Sequence, residues 1–161
     1  MITGYVPGVY DMLHLGHLRI IEEAAARCDR LIVGVVTDDA AMAMKGRQPV
    51  IPFDERIALV AALRMVDAAV ADVGPDKRIA WRAHHFDVLF KGDDWQGTPK
   101  GDRLEAQMRE IGATVRYLPY TKGVSSSVLR PRRYHRVGDS VTADVTPDPV
   151  AASGNRPSTI R

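Results

Sequence analysis

The histidine pair in the HLGH at residues 14–17 is the strongest candidate for chemistry in this sequence. His14 and His17 stand three residues apart where a strand-like run gives way to a helix-like one, and that spacing lets both rings project from the same side of a first helical turn. Imidazole N–H groups can donate to phosphoryl oxygens, and the free amides of a helix start favour anions. Gly16 lets a ligand approach the backbone closely. The segment therefore predicts a phosphate-binding site in the first strand-to-helix loop.

The surrounding residues, GVYDMLHLGH at 8–17, leave other interpretations open. The histidines could be surface side chains at a helix start, or they could bind zinc, although the neighbouring sequence supplies no third and fourth ligand. Asp11 could cap the turn, or it could organise the histidines or a metal–phosphate complex. Neither a dinucleotide-binding glycine signature nor a P-loop follows the first strand, so the histidines would have to bind the phosphates.

Two later segments carry groups that suit a nucleotide. In KGDDW at residues 91–95, the paired acids Asp93 and Asp94 can accept hydrogen bonds from a base amino group or from ribose hydroxyls, and Trp95 can wall a pocket. In YTKGVSSS at residues 120–127, hydroxyls and free amides at a helix start suit triphosphate oxygens. The alternatives are a solvated acidic turn for the first segment and an ordinary serine N-cap for the second.

The elements that must position these groups alternate between strand and helix. This order predicts an α/β fold with a parallel sheet and helices on both faces, and it places the site in the loops after Val6, Val36, Phe90 and Leu118. The helix opened by Asp54 carries an apolar stripe, widened by Leu59 and Leu63, that could face the core or a partner. Strands are predicted at residues 2–6, 31–36, 68–71, 87–91 and 114–118, and helices at residues 15–28, 40–44 (capped by Asp38 and Asp39), from 54, 76–84, around 104–111 (ended by Gly112) and from Ser125.

Length and composition exclude several classes. The 161 residues are 45% hydrophobic and 26% charged, as in a globular domain, and a single cysteine, Cys28, excludes a disulfide framework. The apolar runs are too short to span a membrane, and the start of the chain does not resemble a signal peptide, so a cytoplasmic location is expected. The net charge of +2 is too small to argue for nucleic acid, and an arginine cluster at residues 130–136 is read as a solvated helix end.

Three motifs together resemble one enzyme group. The segment at residues 8–17 resembles the GxFDxxHxGH element of the HxGH nucleotidyltransferase superfamily, with Tyr10 where phenylalanine is usual. The segment at residues 91–95 resembles the GDDW element of glycerol-3-phosphate cytidylyltransferases. The segment at residues 120–127 resembles their RTxGISTT element, with Tyr120 in place of arginine. The resemblance spans about residues 2–130, and we expect a nucleotidyltransferase domain at 1–133 and a flexible tail at 134–161, where apolar residues are too few to offset ordering entropy.

The resemblance implies a Rossmann-like fold of the HIGH type and a transfer of CMP from CTP to a polyol phosphate. Glycerol 3-phosphate is the first expected acceptor, giving CDP-glycerol and pyrophosphate. Two alternatives stay open. One is an adenylyltransferase acting on FMN or a heptose phosphate, which Tyr120 in place of arginine permits. The other is a non-catalytic nucleotide-binding module. The resemblance also implies a homodimer and a Mg²⁺ ion held mainly by the nucleotide and water, with no metal site made by the protein alone.

The resemblance also implies roles for individual residues. The expected catalytic residues are His14, His17, Lys45 and Ser126. The acceptor phosphate is expected to meet Lys45, Arg64 and Lys122. The nucleotide is expected to contact both histidines and also Gly8, Val9, Tyr10, Asp11, Lys91, Asp93, Asp94, Ser125, Ser126 and Ser127.

Overall fold

A computed structural model describes residues 1–119 and residue 121 of the chain. Its centre is a five-stranded sheet in which every neighbouring pair of strands is parallel, with the order β3-β2-β1-β4-β5. The strands are β1 Thr3–Gly8, β2 Arg30–Val36, β3 Ala68–Asp72, β4 Val88–Gly92 and β5 Thr114–Leu118. The helices are α1 Leu15–Ala25, α2 Asp38–Lys45, α3 Phe53–Ala61, α4 Lys77–His84 and α5 Pro99–Glu110, and a single 3₁₀ turn spans Asp93–Trp95.

Helices cover both faces of the sheet, as the alternating pattern predicts. Neighbouring strand residues point to opposite faces, so Val6 and Phe90 pack with α1 and α3, whereas Tyr5 and Leu89 pack with α5. Burial on both faces explains why β2 reads as an unbroken apolar run, with all residues from Leu31 to Val36 buried. The Rossmann-like parallel architecture is therefore confirmed.

Strand β1 runs two residues further than expected, through Pro7 to Gly8. Its pairing with β2 continues to the Gly8–Val35 partners, but its pairing with β4 stops at Tyr5–Leu89. The Pro7 carbonyl faces β4, where it accepts a bond from Lys91 Nζ at 3.4 Å. The missing N–H of Pro7 therefore falls where the β1–β4 ladder has already opened, and a proline is tolerated there.

Several predicted boundaries were wrong by a few residues. Thr37 caps α2, its side chain accepting from Ala40 N at 3.3 Å, and Asp38 lies in the first turn instead of capping it. Helix α1 ends at Ala25 and not at residue 28. None of the helices described in residues 1–119 is long and apolar enough to cross a membrane.

The predicted apolar stripe of α3 is confirmed in part, because Ile57, Val60 and Leu63 pack in the core. Val60 is buried, but Leu59 is 50% exposed, and Arg64 lies exposed beyond the helix end. The residue that shares the buried face is Arg56, at 1% exposure. The final helix from Ser125 and the tail at 134–161 lie outside the described residues, so these two predictions and the domain limits stay predictions.

Candidate active site

The carboxyl ends of β1, β2 and β4 carry the site. The strand order reverses between β1 and β4, which is the position where parallel sheets of this kind bind ligands. The topology predicts a ligand-binding cleft at this point, where the β1–β4 ladder ends at Tyr5–Leu89 and Lys91 Nζ donates to Pro7 O beyond it. The imidazole pair follows β1, Lys45 ends the helix after β2, and Lys91 is the second-last residue of β4.

The two imidazoles form the N-terminal cap of α1. His14 is the N-cap, and its Nδ1 accepts from Gly16 N at 3.1 Å. The His17 Nδ1 accepts from His14 N at 3.4 Å, and the two rings stack with centroids 3.7 Å apart. A ring nitrogen that accepts an amide N–H must be unprotonated, so each neutral ring carries its proton on Nε2. The hydrogen bonds that the two rings make to described residues use Nδ1, which leaves the Nε2–H groups as donors for a ligand.

The environment keeps both rings uncharged at neutral pH. Burial, the adjacent His14 ring and Lys45 lower the pKa of His17 to about 4, although the carboxylate of Asp11 opposes them. Burial also lowers the pKa of His14. Each ring therefore offers a neutral hydrogen-bond donor, without imidazolium charge. The same electrostatic coupling shows that Lys45, the last residue of α2, lies near the pair.

Asp11 joins the histidine loop to the loop between α2 and α3. It is 2% exposed, and its carboxylate accepts from Val50 N at 3.0 Å and from Ile51 N at 2.9 Å. Asp11 thus anchors the segment that follows Lys45, and its expected role in organising the histidines or a metal–phosphate complex stays a prediction. It fixes two loops together, which is more than the cap of a single turn.

Tyr10 packs against the histidine pair. Its side chain is buried, its hydroxyl donates to Val6 O at 3.1 Å, and its ring meets the His17 ring edge-on at 5.2 Å. A Cβ at Gly8 would lie 2.8 Å from the Tyr10 ring, so this ring explains the glycine. Tyr10 has a φ of +54°, a strained conformation for an aromatic residue. Because the Tyr10 side chain is buried, its expected nucleotide contact would have to be made by its backbone. Gly8 and Val9, which precede it, are half-buried.

Lys91 supplies a positive charge inside the cleft. Its side chain is half-buried, with Nζ 4.3 Å from the Trp95 ring centroid. Burial, Lys77 and Lys45 lower the pKa of Lys91 to about 8, against the opposing carboxylates of Asp94 and Asp72. Besides the contact with Trp95, one long hydrogen bond to Pro7 O is the ammonium's hydrogen bond within the described residues, so this cation is suited to an anionic ligand. Asp93 and Asp94 are exposed beside it.

Two polar clusters escaped the sequence analysis. The first is Arg56, which donates to three backbone carbonyls and to Asp38. The sequence pattern indicates that Arg56 is buried, because Phe53, Arg56 and Val60 recur at helical spacing and share one face.

The second cluster is a buried network of Tyr5, Asp72 and Lys77. Lys77 Nζ donates to both carboxylate oxygens of Asp72, at 2.6 and 2.7 Å, and to Gly74 O at 2.6 Å. The Tyr5 hydroxyl donates to Asp72 at 3.0 Å, in the space left by the missing side chain of Gly34. Burial, with Asp72 beside it, raises the pKa of Tyr5 far above its usual range. Periodicity gives no signal for this pairing, which depends on contacts between separate elements.

The remaining predicted residues divide into two groups. Arg64 is exposed three residues beyond α3 and takes no part in the interactions above. Lys122 and the serines Ser125, Ser126 and Ser127 lie outside the described residues, as does Tyr120. Within residues 1–119 and 121, no group of three or more His, Cys, Asp or Glu side chains could hold a metal ion.

Comparison with known proteins gives a consistent family. The model of the Cytidylyltransferase-like family matches residues 5–132. Ethanolamine-phosphate cytidylyltransferase from Arabidopsis thaliana is 34% identical over 128 residues, which are 76% of this chain and 30% of that protein. Glycerol-3-phosphate cytidylyltransferase from Bacillus subtilis is 30% identical over 124 residues, which are 76% of this chain and 90% of that protein.

Other matches are longer proteins or solved structures. Bifunctional protein HldE from Methylococcus capsulatus is 39% identical over 124 residues, 74% of this chain and 25% of that protein. The chain thus spans about a third or less of the length of several curated relatives. The crystal structure of the lipopolysaccharide core biosynthesis protein from Thermoplasma volcanium has a TM-score of 0.64 at 30% identity, covering 76% of this chain and 98% of that one.

Proposed function

Because the chain belongs to the cytidylyltransferase-like family, we propose that it transfers CMP from CTP to a polyol phosphate, glycerol 3-phosphate first, releasing pyrophosphate and CDP-glycerol. The observation that carries this proposal is the stacked imidazole pair, whose two Nε2–H donors stand at a helix N-terminus beside Lys45. Neutral donors at a helix start suit a phosphoryl group that gains negative charge during a reaction.

The proposed reaction needs no protein nucleophile. An oxygen of the acceptor phosphate attacks the α-phosphorus of CTP, forming the new P–O bond, while the bond to the bridging oxygen breaks and pyrophosphate leaves with the electron pair. His14 and His17 donate to the phosphoryl oxygens on which charge develops. Lys45 holds acceptor or triphosphate oxygens, and Ser126 with its neighbours holds the β- and γ-phosphates. Positioning and charge stabilisation together supply the rate enhancement.

The nucleotide and the metal ion take the remaining groups. Asp94 accepts from the base or ribose, and Lys91 offers its ammonium to a phosphate. Mg²⁺ would be bound mainly by triphosphate oxygens and water, as this ion prefers, and would neutralise part of the phosphate charge.

A second candidate is an adenylyltransferase with the same transfer chemistry and a different nucleotide. Tyr120 in place of the usual arginine favours it, and so does the presence of bifunctional protein HldE among the relatives. The two candidates differ in the nucleoside triphosphate that reacts and in the acceptor, which is FMN or a heptose phosphate for the second.

One panel experiment separates these functions. The full chain is incubated with Mg²⁺ and either CTP or ATP, together with glycerol 3-phosphate, ribitol 5-phosphate, phosphoethanolamine, FMN or a heptose phosphate. Pyrophosphate release and the mass of the product are measured. We expect CDP-glycerol. A product formed only from ATP would replace the first candidate by the second, and nucleotide binding without pyrophosphate release from any pair would exclude both enzymes.

A further inference from the structure

Arg56 is a fully buried arginine at the junction of three loops. It lies on the inner face of α3, and its guanidinium is 0% exposed. The Nε atom donates to Ile51 O at 2.9 Å. One terminal nitrogen donates to Val36 O at 2.8 Å and also to Val9 O. A buried guanidinium needs such partners, because an unpaired charge in the interior is very costly.

The three carbonyls belong to the segments that carry the site. Val9 lies in the loop between β1 and α1, five residues before His14. Val36 ends β2 and leads into α2, whose last residue is Lys45. Ile51 lies in the loop that follows Lys45 and Arg47, and its amide is also bound by Asp11. Arg56 therefore joins the segment bearing the imidazoles to both ends of the segment bearing Lys45.

Asp38 completes the arrangement from the first turn of α2. Its Oδ1 accepts from the second terminal nitrogen of Arg56 at 2.6 Å, and its Oδ2 accepts from Phe53 N at 3.1 Å. The carboxylate thus neutralises the guanidinium and satisfies a free amide at the start of α3. The ion pair locks α2 against α3.

We propose that Arg56 is a positioning residue, which sets the imidazole pair and Lys45 at the separation that nucleotidyl transfer requires. Its guanidinium touches no solvent and so meets no substrate. It acts through the three carbonyls, and a shift of about 1 Å in a reacting group can lower a rate by about 10²-fold. This inference rests on the proposed function for its kinetic consequence, but the placement of the imidazoles can be observed without any reaction.

The test compares Arg56→Lys with Val60→Ala. Both residues lie on the buried face of α3, but Val60 packs in the hydrophobic core, whereas Arg56 hydrogen-bonds to the backbone of the site-bearing segments. The lysine keeps the positive charge but loses the planar guanidinium, whose N–H donors reach three segments at once. Turnover is measured at a temperature where circular dichroism shows both variants folded, and the pKa values of His14 and His17 are measured by NMR titration.

We expect Arg56→Lys to lower kcat by about 10²-fold and to move the pKa of His17 up from about 4, because the ring loses its burial beside Lys45. Val60→Ala should lose stability only. An unchanged kcat in Arg56→Lys would overturn the proposal, as would an equal loss of kcat in Val60→Ala, which would indicate general loosening.

A second variant and the NMR titration keep the proposal testable if Arg56→Lys does not fold or if the chain is inactive. If Arg56→Lys does not fold, Asp38→Asn replaces it under the same criteria, since it weakens the ion pair at a residue whose side chain is 37% exposed. If the unmodified chain transfers no nucleotide to any acceptor, the proposed function fails and the NMR titration decides alone. A His17 pKa that stays at its original value in the variant would then refute the positioning role.

Discussion

The imidazole pair and the Tyr5–Asp72–Lys77 network are both polar groups near the carboxyl edge of the sheet, on opposite faces. In the network, all three protons of the Lys77 ammonium meet carboxylate or carbonyl oxygens. In the pair, each ring uses Nδ1 for a backbone amide, which leaves its Nε2–H as a donor for a ligand. The two groups therefore differ in unused hydrogen-bonding capacity, and this difference supports a ligand-binding role for the pair and a stabilising role for the network.

The largest expected effect tests the stabilising role of the network. Lys77→Met would leave the Asp72 carboxylate buried without its counter-charge, so we expect the free energy of unfolding to fall by about 3–5 kcal/mol. The turnover number of the folded protein should change little. Urea unfolding of both proteins measures the difference, and Lys100→Met, at an exposed position, serves as the control. A stable Lys77→Met protein with lost turnover would reverse the assignment of the two regions.

His17→Ala should show the opposite behaviour. Loss of one donor to a developing phosphoryl charge costs about 2.7–4 kcal/mol, which lowers kcat by roughly 10²–10³-fold. Thermal unfolding should change only slightly, because the ring gives the fold one long hydrogen bond. Steady-state assays with CTP measure the loss, and His84→Ala on α4 is the matched control. Normal turnover in correctly folded His17→Ala protein would remove the imidazole pair from the mechanism.

The comparison also explains what the sequence could predict. Alternation of strand and helix patterns predicts the parallel sheet and its site-bearing edge, because both depend on local periodicity and on a general rule of topology. The histidine spacing, Lys45 and Lys91 follow from motifs in single loops. Arg56 could have been found from its place between Phe53 and Val60 on one helix face, had buried charge been considered there.

Other features depend on contacts between distant elements, and local patterns do not contain them. Asp72 and Lys77 form a pair only because β3 and α4 bring them under the Tyr5 hydroxyl. The roles of Lys122 and the serines at 125–127, the homodimer, the cytoplasmic location and the acceptor identity stay predictions.

Lys91 lies between the two regions and should show a smaller, pH-dependent effect. Its pKa of about 8 is depressed, so the ammonium loses its proton as the pH rises through that value. If the ammonium binds an anionic substrate, kcat/KM should be constant below about pH 7.5 and decline above pH 8. Lys91→Met should lower kcat/KM by about tenfold at pH 7, since a charge-assisted hydrogen bond contributes about 1.5 kcal/mol or more. The variant should also lose the decline above pH 8, and a decline that persists would assign it to another group.

The smallest expected effect concerns stability in acid and tests whether the pair also contributes to the fold. The pKa of His17 is lowered to about 4 in the folded protein, below the ordinary value of 6.5, so the unfolded chain binds a proton more readily between these values. Stability from this ring is complete above pH 6.5 and is lost as the pH falls towards 4. Because the ring is half-exposed, solvent screening limits the loss to about 1 kcal/mol. Urea unfolding at pH 7 and pH 4.5 should show a smaller difference for His17→Asn than for the unmodified protein, since asparagine does not titrate. An equal difference in both proteins would mean that protonation of His17 does not contribute to the loss of stability in acid.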